Sequence, residues 1–143
     1  MATVISKVEE DAIVASIASA EMNTSGEIRV HIETKCKKEP YERAIEVFYK
    51  LEMQKTVLRN GVLIYVALED RKLAILGDAG INEVVPINFW SSTKEKMIEH
   101  FKEENFAQGI SEAVASVGNH LKKYFPRESN DTDELSNELS RGE

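Results

Sequence analysis

The feature that most constrains the fold is an unbroken apolar run in the middle of the chain, residues 62–68. A strand covered on one face alternates apolar and polar residues, whereas a strand covered on both faces is apolar throughout. The run therefore predicts a central strand with other layers packed against both of its faces. The turn-forming pair Asn60-Gly61 precedes it, and a polar break at 69–72 separates it from a second apolar run at 73–76. This pattern predicts a β-hairpin.

Helical and strand periodicities account for the rest of the first 126 residues. Residues 27–33 alternate strictly between apolar and polar side chains, which predicts a strand that is covered on one face only. Apolar side chains recur at helical spacing in four further segments, and Ser6 and Glu9 form a capping box at the start of the first. The predicted helices cover residues 6–22, residue 40 to near residue 57, residues 88–103 and residues 106–125.

The order of these elements predicts the architecture. The first two strands are joined through a helix, so we expect them to be parallel with a right-handed crossover. The predicted fold is of the α/β class, a three-layer α/β/α sandwich around a small mixed sheet of three or four strands. A chain of 143 residues is expected to form one domain, here residues 1–126. Residues 127–143 hold six acidic and two basic residues and predict an acidic tail that is disordered or loosely helical.

Composition and charge exclude several classes of function. A formal net charge of −7 argues against nucleic acid as the main ligand, because binding phosphates needs a basic surface. The single cysteine, Cys36, excludes an internal disulfide framework and a cysteine-based zinc cluster. No apolar stretch suits a signal peptide or a membrane span, which predicts a soluble, cytoplasmic protein without membrane insertion. The sequence also lacks a Walker A loop, a Rossmann fingerprint and a serine nucleophile elbow.

The most informative segment for function is the loop that ends the third strand, residues 77–80, with the sequence Gly-Asp-Ala-Gly. The third strand is antiparallel to the second, so its end returns to the edge of the sheet where the two parallel strands begin. Acidic and amide side chains gathered at this edge would suit Ca²⁺ or Mg²⁺, which prefer oxygen ligands. The alternative is a plain glycine-rich turn whose aspartate caps nearby amides. The candidate metal ligands are Asp78, Glu27, Asn60, Glu21 and Glu83.

Two further side chains have chemistry of their own but weak sequence signals. Cys36 lies among Lys35, Lys37 and Lys38, with no second cysteine to resolve an oxidised form, and is predicted to be a plain surface thiol. His31 lies on the polar face of the strand at 27–33. We expect it to be solvated or hydrogen-bonded rather than a metal ligand.

Three segments, residues 24–30, 59–72 and 75–81, resemble the TPM-domain family, which is named after a thylakoid acid phosphatase, a photosystem II repair protein and a nematode receptor modulator. The shared patterns are a Gly-Glu pair before an apolar strand, a hairpin that runs from Asn-Gly to Asp-Arg-Lys, and a turn with two glycines. The resemblance covers nearly all of residues 4–126. Many relatives have Gly-Tyr-Gly in that turn, and they often carry an export signal and a membrane anchor.

The resemblance implies an α/β/α sandwich and a divalent-cation site, chiefly for Ca²⁺, in the loops at one edge of the sheet. Carried over residue by residue, it points to Glu27, Asn60 and Asp78, and less closely to Glu21 and Glu83. Some family members show weak acid phosphatase activity. This chain is accordingly expected to be a short, stand-alone bacterial member of the family.

Three functions remain open at this stage. The first is a cation-binding accessory domain with little or no catalysis. The second is a weak phosphatase in which a bound cation polarises a phosphoryl oxygen or activates water, with Arg59 as the nearest cationic side chain. The third is a protein-interaction module that uses the acidic tail or an apolar groove. A divalent cation is the one partner that the sequence predicts, and no protein partner can be named.

Overall fold

The computed structural model describes residues 5–127 and 139–142 of the chain. None of its helices, within these residues, is both long and apolar enough to cross a membrane. In chain order the elements are α1 (Lys7–Glu21), β1 (Glu27–Glu33), α2 (Pro40–Lys50), β2 (Gly61–Ala67), β3 (Lys72–Gly77), α3 (Ala79–Asn82), α4 (Ser91–Lys102), α5 (Phe106–Tyr124) and β4 (Ser140–Arg141).

The strands form one mixed sheet in the order β3-β2-β1-β4. β1 and β2 are parallel, with Glu27 opposite Gly61, and β3 runs antiparallel to β2, with Gly77 opposite Val62. β4 pairs in parallel with the other edge of β1. The predicted hairpin and the predicted parallel pair are both confirmed.

Helices cover both faces of this sheet, which confirms the predicted three-layer fold. One face packs against α1, α4 and α5 and buries, among others, Ile13, Ile64 and Val117. The other face packs against α2 and buries Phe48 and Leu63. Every residue of β2 is buried, because this strand lies between strands in the sheet and between helices above and below it. Full burial of one large aliphatic side chain stabilises a fold by about 1.5–3 kcal/mol.

The helix boundaries agree with the sequence at α1 and differ at α2. Ser6 and Glu9 form the predicted capping box, with the Glu9 N–H donating to Ser6 Oγ at 3.1 Å and the Ser6 N–H to Glu9 Oε1 at 2.9 Å. The prediction that the second helix fades near residue 57 is wrong, because α2 ends at Lys50. Glu52 adopts a positive φ of 57°, which cannot continue a right-handed helix.

Two short elements were not predicted from the sequence. Asp78 caps the single turn α3, where a loop was expected. Ser140 lies opposite His31 in β4, and the Gly142 N–H donates to the Ile32 carbonyl at 2.7 Å. Disorder was expected for residues 140–142. They pair instead with the free edge of β1, and the sequence pattern does not show that this edge is available. Residues 128–138 and 143 lie outside the described residues, and the division into a domain and a tail stays a prediction.

Candidate functional site

The topology brings three of the predicted ligands to one edge of the sheet at the level of the backbone. The Glu27 N–H donates to the Asn60 carbonyl at 3.2 Å, at the point where β1 and β2 begin. The Asp78 N–H donates to the Gly61 carbonyl at 2.9 Å, just after β3 ends. Glu27, Asn60 and Asp78 therefore occupy neighbouring positions along this edge, as the parallel and antiparallel pairings require.

The carboxylate of Asp78 is bound by an arginine and by a helix terminus. Arg59 donates from Nε to Asp78 Oδ2 at 2.7 Å and from Nη2 to Oδ1 at 2.8 Å. The Ala79 N–H also donates to Oδ1, at 2.7 Å, which caps α3. The Asp78 side chain is only 4% exposed, so water screens its carboxylate little, and the bidentate pairing with arginine is a strong interaction for this carboxylate. The expected alternative, an aspartate that caps local amides, is thus part of its role.

The other predicted ligands differ in burial. Glu21 and Glu27 are each 3% exposed, and Glu21 Oε2 accepts a hydrogen bond from the Ile28 N–H at 2.8 Å. This bond places the Glu21 carboxylate at the start of β1. Asn60 is buried, and its Nδ2 donates to the Ser25 carbonyl at 3.3 Å. Glu83 is exposed at the end of α3.

The fit of this edge to a metal ion is partial. Buried carboxylates and an amide are the donors that Ca²⁺ and Mg²⁺ prefer. Within residues 5–127 and 139–142, however, no three or more His, Cys, Asp or Glu side chains are grouped so that they could hold an ion. The edge therefore offers hard oxygen donors but no complete cage of charged side chains.

A second polar cluster lies at the opposite end of β1, and sequence reasoning missed it. Arg43 donates from Nε to Glu33 Oε2 and from Nη2 to Oε1, both at 2.9 Å. The Tyr65 hydroxyl donates to Glu33 Oε2 as well, and His31 Nε2 lies 3.1 Å from Oε1. His31 Nδ1 lies 2.9 Å from Ser140 Oγ. An ionised carboxylate only accepts, so the ring proton is on Nε2 and the serine hydroxyl donates to Nδ1.

The polar face of β1 is buried, and for this reason the cluster was missed. The strand was predicted to be covered on one face only, and this is wrong: α2 lies over the face that carries His31 and Glu33, which are 6% and 5% exposed. The prediction that His31 is hydrogen-bonded is confirmed. The signal that could have found the cluster is Arg43, placed on α2 where it can reach Glu33.

Hydrogen bonds keep Glu33 ionised in this cluster, although burial disfavours its charged form. Burial alone would raise the pKa of Glu33, but hydrogen bonds from Arg43, Tyr65 and His31 outweigh it and lower the pKa from 4.5 to about 2. Burial lowers the pKa of His31 below 6.5, although its bond to Glu33 acts in the opposite direction. At neutral pH the cluster therefore contains an ionised glutamate and a neutral histidine.

The stability of the protein is expected to fall as the pH drops below 4.5. A buried carboxyl whose pKa is lower in the folded than in the unfolded chain contributes stability that is complete above the unfolded value, 4.5, and is lost as the pH falls through about 2. The expected loss is ~3 kcal/mol. Urea unfolding at a series of pH values measures it, and a carbon NMR titration gives the pKa of Glu33 directly. A Glu33 pKa near 4.5 would contradict this prediction.

Cys36 is buried, so the prediction of a surface thiol is wrong. It is 3% exposed, and its Sγ donates to the Lys38 carbonyl at 3.2 Å. Its backbone N–H donates to Asp70 Oδ2 at 2.8 Å, and Lys72 donates to its carbonyl at 3.1 Å. The flanking lysines point outward while the thiol packs beneath α2, an orientation that the charge pattern alone does not show.

Comparison with known proteins identifies the family. The TPM domain matches residues 1–120. The chain is 48% identical to BA42, a protein of the psychrophilic bacterium Bizionia argentinensis whose structure was determined by NMR, with a TM-score of 0.90 over 96% of this chain and 95% of that chain. Among curated proteins, none matches.

Two more distant structures share the fold. The N-terminal domain of cg2496 from Corynebacterium glutamicum is 16% identical, with a TM-score of 0.64 over 97% of this chain and 80% of that chain. The N-terminal domain of a P. gingivalis protein is 20% identical, with a TM-score of 0.68 over 84% of this chain and 78% of that chain. Both are NMR structures determined in solution.

The fold and the arrangement of its polar residues define the class of protein. It is a three-layer α/β/α domain with buried acidic side chains at the edge where its parallel strands begin. This chain belongs to the TPM-domain family.

Proposed function

We propose that this domain binds a divalent cation, Ca²⁺ or Mg²⁺, at the edge of the sheet where β1 and β2 begin, with little or no catalysis of its own. The observation that supports this best is that three buried carboxylates, those of Glu21, Glu27 and Asp78, belong to this one edge. Burial disfavours the ionised form of a carboxylate, and a cation bound beside it offsets that cost. The family resemblance points to the same loops.

The existing contacts suggest how the ligands divide. Glu27, Glu21 and the Asn60 amide are the direct ligands in this proposal, with backbone carbonyls and water completing the shell. Asp78 shares its carboxylate with Arg59, so cation and guanidinium compete for it. Glu83 is exposed and is left out of the ligand set. Ca²⁺ binds more weakly when fewer of its ligands are charged, and this set has two carboxylates of its own, so we expect a dissociation constant of roughly 10⁻⁴–10⁻³ M.

The other two functions have less support. A phosphatase at this edge would need a cationic side chain for the phosphoryl group, and Arg59 is already paired with Asp78. The interaction module stays a prediction, because most of the acidic tail lies outside the described residues.

Titration with Ca²⁺ and then Mg²⁺ is expected to shift the amide NMR signals near Glu27, Asn60 and Asp78 in a saturable way at millimolar concentration. Glu27→Gln should abolish the shifts, because it removes a buried charged ligand from the edge. Glu83→Gln is the matched control, since it removes one exposed charge from the same end of the molecule and should leave the affinity within about twofold.

A pair of variants separates ligation by Asp78 from its structural role. Asp78→Asn and Arg59→Gln break the same ion pair, but only Asp78→Asn removes a carboxylate. Binding that weakens in Asp78→Asn and is kept or strengthened in Arg59→Gln supports the proposal. Equal weakening in both variants, or shifts spread along residues 128–143 instead of the sheet edge, would overturn it.

A further inference from the structure

A cavity of about 840 Å³ opens at the carboxyl end of β1, beside the cluster around Glu33. It lies between α2, the segment that follows β1, and β4. In open α/β sheets, ligands bind in the crevice outside the carboxyl ends of the strands. The cavity is therefore at the end of the sheet where such folds place their ligands, roughly 20 Å along β1 from the proposed cation site.

The lining of this cavity holds more cationic than acidic side chains, although the protein as a whole is acidic. Two carboxylates line it, Glu33 and Glu46, against six cationic side chains in a chain of net charge −7. Among the described residues, Lys37 and Lys50 form no ion pair, so their charges are available to a ligand, whereas each of the other four cationic side chains is paired with a carboxylate. The cationic side chains are Lys35, Lys37, Lys38, Arg43, Lys50 and Arg141.

One of these side chains is fixed in place before any ligand binds. Arg43 is 29% exposed and is held by both oxygens of Glu33 and by Glu46 Oε1 at 3.1 Å. These described bonds use three of the five N–H groups of a guanidinium. Since the remaining donors are already oriented, less side-chain entropy is lost when a ligand accepts from them.

The cavity also has an apolar side. Leu51, just after α2, lines it as a partly exposed side chain, and the nearly buried Val47 and Cys36 lie behind it. A ligand that carries a charged group and a small carbon skeleton would therefore meet complementary surface on both sides. Bare chloride would gain nothing from the apolar side.

We propose that this cavity binds the phosphate group of a small molecule. A phosphate carries up to two negative charges on oxygens that accept from arginine in a forked geometry and from lysine as a point charge. Lys37 and Lys50, beside one fixed arginine, match that charge better than they match a single carboxylate. The site differs from the proposed cation site in position and in charge, and it does not depend on a bound metal.

The test uses the full chain in the presence of a chelator, so that no phosphate binds through a divalent cation. Inorganic phosphate, pyrophosphate and glycerol 3-phosphate are titrated at constant ionic strength while amide NMR signals are recorded. We expect saturable shifts at residues 35–38 and 47–51. Lys50→Glu should weaken binding at least tenfold, and Lys122→Glu, an exposed lysine on α5, should change it by less than twofold.

The arms of this experiment identify the source of the phosphate and can overturn the proposal. Tightest binding by glycerol 3-phosphate indicates an ester ligand, and tightest binding by inorganic phosphate or pyrophosphate indicates a free phosphate. Citrate binding more tightly than all three, or equal shifts from sodium chloride of matched ionic strength, would overturn it. Lys37→Glu is a second variant, and normal affinity in both it and Lys50→Glu would also overturn the proposal.

Discussion

Replacing Glu33 with alanine is expected to lower the free energy of unfolding by about 3–5 kcal/mol. Glu33 is 5% exposed and accepts hydrogen bonds from Arg43, Tyr65 and His31. Without it, the buried Tyr65 hydroxyl loses this partner, and the Arg43 guanidinium loses two of its three described hydrogen bonds. Removing one member of a buried charged pair costs more than the pair contributes, because the other charge stays behind.

Urea unfolding at neutral pH measures this loss, and two further variants show its cause. Glu46→Ala removes the exposed partner of Arg43 and should have a far smaller effect, because solvent screens that ion pair. The double variant Glu33→Ala/Arg43→Ala should cost less than the sum of the single losses, because it leaves no unpaired charge. A single Glu33→Ala loss no larger than that of Glu46→Ala would show that the cluster is not buried in solution.

Replacing Gly80 with alanine is expected to cost about 2–3 kcal/mol, since overpacked sites seldom relax fully. A Cβ at this position would lie 2.1 Å from the Leu58 carbonyl oxygen and 2.7 Å from that of Arg59. Both contacts are with backbone, so a side chain cannot simply rotate away. Arg59 is also held at a positive φ of 51°, and the Gly80 N–H donates to its carbonyl at 2.8 Å.

The same substitution should disturb the edge that we propose as a cation site. Moving the Leu58–Arg59 backbone away from residue 80 carries the Arg59 guanidinium away from Asp78. Gly77→Ala is the matched control, because there the added Cβ meets the Ile81 Cγ2 at 3.1 Å, and a side chain can give way. Thermal unfolding and the amide shifts of Arg59 and Asp78 provide the measurements. Equal stability of Gly80→Ala and the unchanged protein would contradict the close approach.

The elements were largely predictable because the pattern that specifies each of them is local. The apolar run at 62–68 became β2 to within one residue at each end, and the alternation at 27–33 coincides with β1. The helix α2 was predicted too long, because the positive φ at Glu52 is a property of the chain's path, which no apolar spacing reveals.

The candidate sites were predictable only in part. Strand order alone placed Glu27, Asn60 and Asp78 at one edge, since parallel and antiparallel pairings dictate which strand ends meet. The pairing of Asp78 with Arg59 was not predicted, although Arg59 had been noted as the nearest cation. The burial of Glu33 was missed altogether, because alternation of apolar and polar residues normally indicates a face open to water.

By itself, then, the sequence determined the order and type of the main elements, the pairing of three strands, the family and the acidic edge. These follow from periodic burial and from short connections, which operate over a few residues. Only the tertiary structure decided that α2 buries the polar face of β1 and that Arg43 neutralises Glu33. It also decided that Ser140 pairs with His31 in an added edge strand of the sheet. Those contacts join residues up to 109 positions apart. They depend on how whole layers pack, and no local pattern carries that information.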